Sequence, residues 1–285
     1  MSLKQISISN RKVPAIGIGT WHMGSYQTKQ NEDVSTIQAG INAGARLIDT
    51  AEMSGSGDSE TIVGKALKPY KRENLFLISK ILPSNASKNK MEAHLDASLD
   101  RLNTDYLDLY LYHWRGGTPL EETASELQRL KEKGKIKAWG VSNFDINDLK
   151  ELWRLDIGPR VSAVEDLYNL ENRGIDFDVK QWLLSHHLPL IAYSPLGGKN
   201  NALNTKMLEN KNVLKVADNH HVTPRQILLA WVIRNNHTIA IPQTGNPKHI
   251  KDNVSAAKIK LSKDEISLIE KDYPQPNHKI PLQIL

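Results

Sequence analysis

The chain has no cysteine in its 285 residues. Disulfides, thiolate metal sites and a cysteine nucleophile are excluded together. No apolar run approaches the length of a membrane span, and the first residues lack a signal peptide's charged start and apolar core. Cytosol is therefore the default expectation, with no membrane partner. Charge is not concentrated either. The net charge is +5, but the basic residues are scattered rather than blocked. A nucleic-acid surface is not expected, whereas a nucleotide cofactor would need only a local basic patch. The pairs His186-His187 and His220-His221 lack a carboxylate at ligand spacing, so they read as surface histidines and no metal site is expected.

What is present is an alternation. Short apolar runs rich in Ile, Val, Leu and Tyr occur at 15–20, 45–51, 75–80, 107–113, 138–143, 161–167, 188–196 and 238–243. Near-continuous apolarity suits parallel strands buried on both faces. Between them, stretches such as MEAHLDASLDRL and PLEETASELQRLKEKGK carry apolar residues at three- and four-residue spacing, which predicts helices. Strand and helix repeated eight times predict one (β/α)₈ TIM barrel spanning 1–285 as a single domain. An open doubly wound sheet is the alternative. GIGTWHMG has two close glycines, but the third falls too late for its phosphate-binding fingerprint. Two pieces lie outside the repeat. Residues 4–14 predict a hairpin turning at Asn10-Arg11 that plugs the barrel floor, and 261–273 predict an extra helix capped by Ser262 with Glu265. The proline-rich tail after it has no period and should be a loop.

In such barrels chemistry sits at the C-terminal strand ends. These ends carry Asp49, Lys80, His113-Trp114, Ser142-Asn143, Glu165, Tyr193-Ser194 and Gln243-Thr244. Lys80 follows apolar or small residues, so its stem is buried. A buried ammonium must be paired or lose its proton. Asp49, one strand over, is the natural partner, and His113 on the next strand completes an acid–base relay in form. A single such pair could serve only to fix strand register. Three polar residues on three successive strand ends favour a site.

These residues resemble the aldo-keto reductases almost end to end. The resemblance is carried by GIGTW (17–21), DTA (49–51), SK (79–80), LNTDYLDLYLYHW (102–114), GKIKAWGVSNF (134–144), AYSPL (192–196) and IP (241–242). It implies a (β/α)₈ barrel binding NADP(H) or NAD(H), a small-molecule carbonyl substrate, and a monomer. It also implies a tetrad of Asp, Tyr, Lys and His. Asp49, Lys80 and His113 match three members, but Ser54 stands where a DTAxxYGxE-like motif places Tyr. A phenol titrates near ~10 and can be tuned, whereas an aliphatic alcohol is a far weaker acid. A serine oxygen also falls roughly 4 Å short of a phenol's. Reduction of an aldehyde or ketone is then expected to be slow, with the proton coming from His113 or from a water held by Lys80 and His113. The alternative is a dinucleotide-binding barrel without meaningful turnover, acting as a sensor or partner-binding subunit. A barrel enzyme using Asp49 and Glu165 as paired carboxylates leaves the other matching segments unexplained.

The resemblance further implies that Gly19, Thr20, Trp21 and Asp49 border the cofactor. It gives Ser142, Asn143 and Glu165 to the carboxamide, with Glu165 in place of the family's Gln. Tyr193 would stack on the nicotinamide, and Ser194, Leu196 and Gly197 would cover the pyrophosphate. Trp21, Met53 and Trp114 would line the carbonyl pocket. After strand eight the family places a Lys-Ser pair, an Arg and an Asn. Here these are Gln243, Thr244, His249 and Asn253. Both expected cations are missing, with Lys248 adjacent, which predicts a weakened preference for NADPH.

Overall fold

The computed structural model describes residues 2–25, 29–198 and 201–285, the last segment without the side chains of 201–204. The chain opens on an antiparallel hairpin of β1 (Gln5–Ile8) and β2 (Arg11–Pro14). Its turn is Ser9-Asn10, one residue earlier than the sequence suggests, because Ile8 pairs with Arg11 and Ile6 with Val13. This register buries Ile6, Ile8 and Val13. A one-residue slip would move an apolar set to the other face.

Eight parallel strands follow in one sheet, arranged in chain order. They are β3 (Ile18–Gly19), β4 (Leu47–Asp49), β5 (Phe76–Ile81), β6 (Leu109–Tyr112), β7 (Trp139–Ser142), β8 (Val164–Leu167), β9 (Leu190–Tyr193) and β10 (Thr238–Ile241). Each matches one of the eight apolar runs. The ring closes between β10 and β3. The amide of Ala240 donates to the Ala15 carbonyl at 2.9 Å, Gly17 to Ala240 at 2.8 Å and Gly19 to Pro242 at 3.1 Å. A Cβ on Gly19 would lie 2.6 Å from the Ile241 carbonyl oxygen, so closure requires glycine there.

The helices on the outside are α1 (Gln30–Asn42), α2 (Asp58–Leu67), α3 (Met91–Leu102), α4 (Leu120–Glu132), α5 (Ile146–Arg154) and α6 (Val179–Ser185). They continue with α7 (Asn201–Leu208), α8 (Lys211–His220), α9 (Pro224–Val232), α10 (Pro247–Ser255) and α11 (Lys263–Glu270). The last begins with the Ser262/Glu265 capping box that the sequence predicts. None of the described helices is long and apolar enough to cross a membrane.

The hairpin sits under the N-terminal end of the barrel. Lys4 Nζ donates to the Ile233 carbonyl at 2.6 Å, and Arg11 pairs with Asp108 and donates to the Glu73 carbonyl at 2.9 Å. Ile233, Asp108 and Glu73 all precede strands, which places the plug on the floor and leaves the C-terminal end open. Beyond α11 the tail has neither helix nor strand. It is tied down by Lys279 on Asp145 and Asp178, and by Asn172 Nδ2 donating to Gln283 at 3.0 Å.

Candidate functional site

Side chains alternate along a strand, and β5 shows the consequence. Ser79 points out to Glu60 on α2, its hydroxyl donating at 2.6 Å. Lys80 therefore points into the barrel, where its Nζ lies 2.5 Å from Asp49 Oδ1 and 3.2 Å from Glu165 Oε1, and donates to the Thr50 carbonyl at 3.1 Å. Asp49 is on β4 and Glu165 on β8, four strands further around an eight-stranded ring. Lys80 bridges the barrel interior between opposite walls. All three side chains are buried, at 10%, 5% and 3% residual exposure for Asp49, Lys80 and Glu165.

Burial dominates their titration. It works against the Lys80 ammonium, but the charges of Asp49 and then Glu165 outweigh it and hold the group above its ordinary value. Burial raises Asp49 despite the nearby lysine. Burial and then the Asp49 charge push Glu165 well above the usual carboxylate range. His113, just past β6, is lowered to about 3 by burial and then by the Lys80 charge, and its Nδ1 is buried without a partner. A neutral imidazole at pH 7 can orient a carbonyl but is no acid.

Ser54 is buried, at the start of a tight turn (Ser54–Gly57) between β4 and α2. Gly55, Ser56 and Gly57 take positive φ values of 60°, 54° and 96°. The loop before this turn is pinned by Glu52. Its Oε1 accepts from the Leu82 amide at 2.8 Å and from Asn85 at 3.0 Å, and Oε2 lies 3.0 Å from His94. The position of Ser54 is thus held by the β5–α3 connection.

These residues line a cavity of about 580 Å³ at the C-terminal end of the barrel. Its walls include Asp49, Ser54, Lys80, His113, Glu165 and Tyr193, and it brings in Gly19, Thr20, Trp21, Met53, Trp114, Ser142, Asn143, Ser194, Leu196, Gly197 and Gln243 as well. Thr244, Lys248, His249 and Asn253 do not line it. Lys248 and His249 are exposed in the first turn of α10, just beyond Gln243, and Asn253 is buried one helical stretch further on. Trp21 stacks on His22 with ring centroids 4.3 Å apart, and His113 meets Trp114 at 4.5 Å. Lining residues that the sequence reading did not place in the site include Arg225 at the start of α9, and Ile284 and Leu285 from the tail. Only the Thr223-Pro224 helix start before Arg225 leaves a sequence signal, and it marks a helix rather than a cavity. The histidine pairs lie elsewhere. His186 stacks on Trp182 at 3.8 Å and His220 reaches Glu265 at 2.8 Å.

The donor set beside Tyr193 fits a carboxamide. Both amide hydrogens of Asn143 are engaged, on the His113 carbonyl at 3.0 Å and Ser142 Oγ at 3.2 Å, and its Oδ1 accepts from the Tyr193 hydroxyl at 2.8 Å. That leaves the Ser142 hydroxyl hydrogen and the buried, unpartnered Glu165 Oε2 to meet a polar ligand. Asp166, next along β8, accepts from the Phe144 amide at 3.2 Å and so fixes the Ser142–Phe144 corner. Burial raises it to about 7.

The model of a family described as aldo/keto reductases matches residues 15–273. Methylglyoxal reductase YeaE of Escherichia coli is 41% identical over 286 residues, covering 100% of both chains. Glyoxal reductase of Bacillus subtilis is 30% identical over 262 residues, 91% of this chain and 88% of that one. The crystal structure of an aldo-keto reductase from Klebsiella pneumoniae in complex with NADPH has a TM-score of 0.96, 39% identity and full coverage of both chains.

Proposed function

The chain belongs to the aldo/keto reductase family, and we propose that it slowly reduces small dicarbonyls, 2-oxoaldehydes above all, with a reduced nicotinamide dinucleotide. The observation that carries this reading is the Asp49–Lys80 pair, 2.5 Å apart, beside His113 in an open cavity where Ser54 replaces the expected phenol. Methylglyoxal and glyoxal reductases among the relatives support the substrate class. So does the chemistry. A second carbonyl withdraws electrons, so the developing alkoxide is less basic and demands less of an acid.

The dinucleotide, when bound, supplies the hydrogen and electron pair that reduce the carbonyl carbon. Ser142 and Glu165 would hold its carboxamide, Tyr193 its ring, and Ser194, Leu196 and Gly197 the approach to its phosphates. Arg225 is an exposed cation in the cavity wall and would meet the phosphates of the dinucleotide, whereas Lys248 lies outside that wall. Neutral His113 orients the carbonyl oxygen. Lys80, cationic and adjacent, polarises it and donates through a water in the space a tyrosine ring would fill. Orientation and electrostatics survive the loss of the phenol, so turnover persists at a reduced rate.

Titration of NADPH by tryptophan fluorescence, followed by NADPH oxidation with methylglyoxal, tests this reading. Binding with slow, saturable turnover is expected. The concentration of departures at Ser54, Glu165 and Gln243, all lining one cavity, also favours the second reading, a dinucleotide sensor. Tight binding with no turnover of any aldehyde would replace the first reading with the second.

A further inference from the structure

Lys80 faces two carboxyl groups, Asp49 and Glu165, and all three side chains are at least nine-tenths buried. Two carboxylates against one ammonium would leave a buried negative charge uncompensated, which is costly enough that a group protonates instead. Asp49 is the closer partner of Lys80 and the one suited to remain ionised. Glu165 has the longer contact, and its Oε2 is buried with no donor to serve it. It can hydrogen-bond with Asp49 only if one of the two carboxyls carries a proton. The other titratable groups around it do not change this balance. His113 is neutral at pH 7 and burial keeps the Tyr193 phenol protonated. Asp166, raised by burial to about 7, projects from the opposite face of β8 and accepts from the Phe144 amide, so any proton it holds is its own and not shared with Lys80.

We propose that Glu165 is the proton store of this site, holding one proton at rest and releasing it through Lys80 when a cationic ring comes to lie in the cavity. The proposal rests on the dinucleotide-dependent reductase reading. In the reduction, the carbonyl carbon gains a hydrogen with its electron pair as the dinucleotide is oxidised to its cationic form. The carbonyl oxygen takes a proton from the Lys80 ammonium by way of the water. As that Lys80 N–H bond breaks, the Glu165 O–H bond breaks too and its proton restores the ammonium. Glu165 finishes as a carboxylate facing a cationic ring, so charge in the cavity is conserved. A glutamine at this position could hold a carboxamide but could neither store nor release the proton.

Proton uptake and release, rather than turnover, tests the idea. The wild type and Glu165→Gln are mixed with NADP⁺ and with NADPH in weakly buffered solution containing a pH indicator. Wild type should release up to a full proton per site with NADP⁺ and far less with NADPH. Its NADP⁺ dissociation constant should tighten as pH rises, approaching tenfold per pH unit where Glu165 titrates. Glu165→Gln should bind both forms with no proton release and a flat profile. Infrared difference spectra of the free protein at neutral pH should show a protonated-carboxyl band, beyond any from Asp166, that Glu165→Gln lacks. Binding without differential proton release, release retained in Glu165→Gln, or absence of that band would each overturn the proton store and leave the reductase reading standing. Failure to bind either dinucleotide would overturn both.

Discussion

Ser54→Tyr puts a phenol where the chain now carries a hydroxymethyl group. The backbone can accept it. Ser54 keeps helical dihedrals, and the positive-φ positions of the turn are Gly55, Ser56 and Gly57. The side chain points at a cavity of about 580 Å³ that also holds Lys80 and His113. A tyrosine titrates near ~10 before tuning, and the buried Lys80 ammonium lowers that by favouring the phenolate. General acid catalysis is worth about 10²–10⁴-fold, or roughly 3–5 kcal/mol of barrier. The gain should appear in kcat, because the acid acts on charge that develops in the transition state and adds little to ground-state binding. The assay is NADPH oxidation followed by absorbance, with methylglyoxal and a simple monocarbonyl aldehyde as substrates. The monocarbonyl should gain more, since its alkoxide is the more basic. A gain under about tenfold with both substrates, with folding and NADPH affinity unchanged, would refute the missing-acid argument.

Lys80→Met leaves Asp49 and Glu165 facing each other without a cation. It should cost about 3–5 kcal/mol in urea unfolding at neutral pH, and less at low pH, where both carboxyls take up protons. His113 has its folded value lowered to about 3 from an ordinary 6.5, so the unfolded chain binds the extra proton between these values. Its contribution to stability is full above about 6.5 and is lost as pH falls toward about 3. His113→Asn should accordingly flatten the urea midpoint between pH 7 and pH 4. Arg225→Ala should weaken NADPH binding about tenfold, or roughly 1.4 kcal/mol, and NADH less, as read by fluorescence titration. Lys248→Ala, outside the cavity wall, should change either affinity less than twofold, about 0.4 kcal/mol.

How much of this was legible in the sequence depends on the kind of contact. The strands were legible because a parallel strand buried on both faces must read as an apolar run, and a lone lysine ending such a run demands a partner. Asp49 is that partner because β4 and β5 are neighbours in chain order, which pattern reasoning handles. The hairpin turn was misplaced by one residue because Asn10-Arg11 and Ser9-Asn10 both join the same apolar alternation. What separates them is which face meets the barrel floor. Arg225, Ile284 and Leu285 were not legible at all. They come from the first turn of a helix and from a tail with no hydrophobic period, and only the closed barrel brings them to the mouth.

Glu165 is the more instructive case. Its place at a strand end could be read, and the family resemblance sets it against a carboxamide-binding glutamine. Its membership of the lysine cluster could not, because β8 stands opposite β4 and meets it only through the interior of the closed ring. A Gln-to-Glu exchange on an exposed surface adds a solvated charge and little else. Here it changes the number of protons held by a buried site, since Lys80 can neutralise one carboxylate but not two. On the proposed reading, Ser54 lacks the group that would deliver a proton, and Glu165 adds a group that would hold one, 3.2 Å from the lysine both would act through. The two departures are therefore coupled through Lys80. Ser54→Tyr and Glu165→Gln should be non-additive in kcat when combined, whereas changes made at independent sites would add. Strict additivity would mean that the phenol and the carboxyl do not share a proton path.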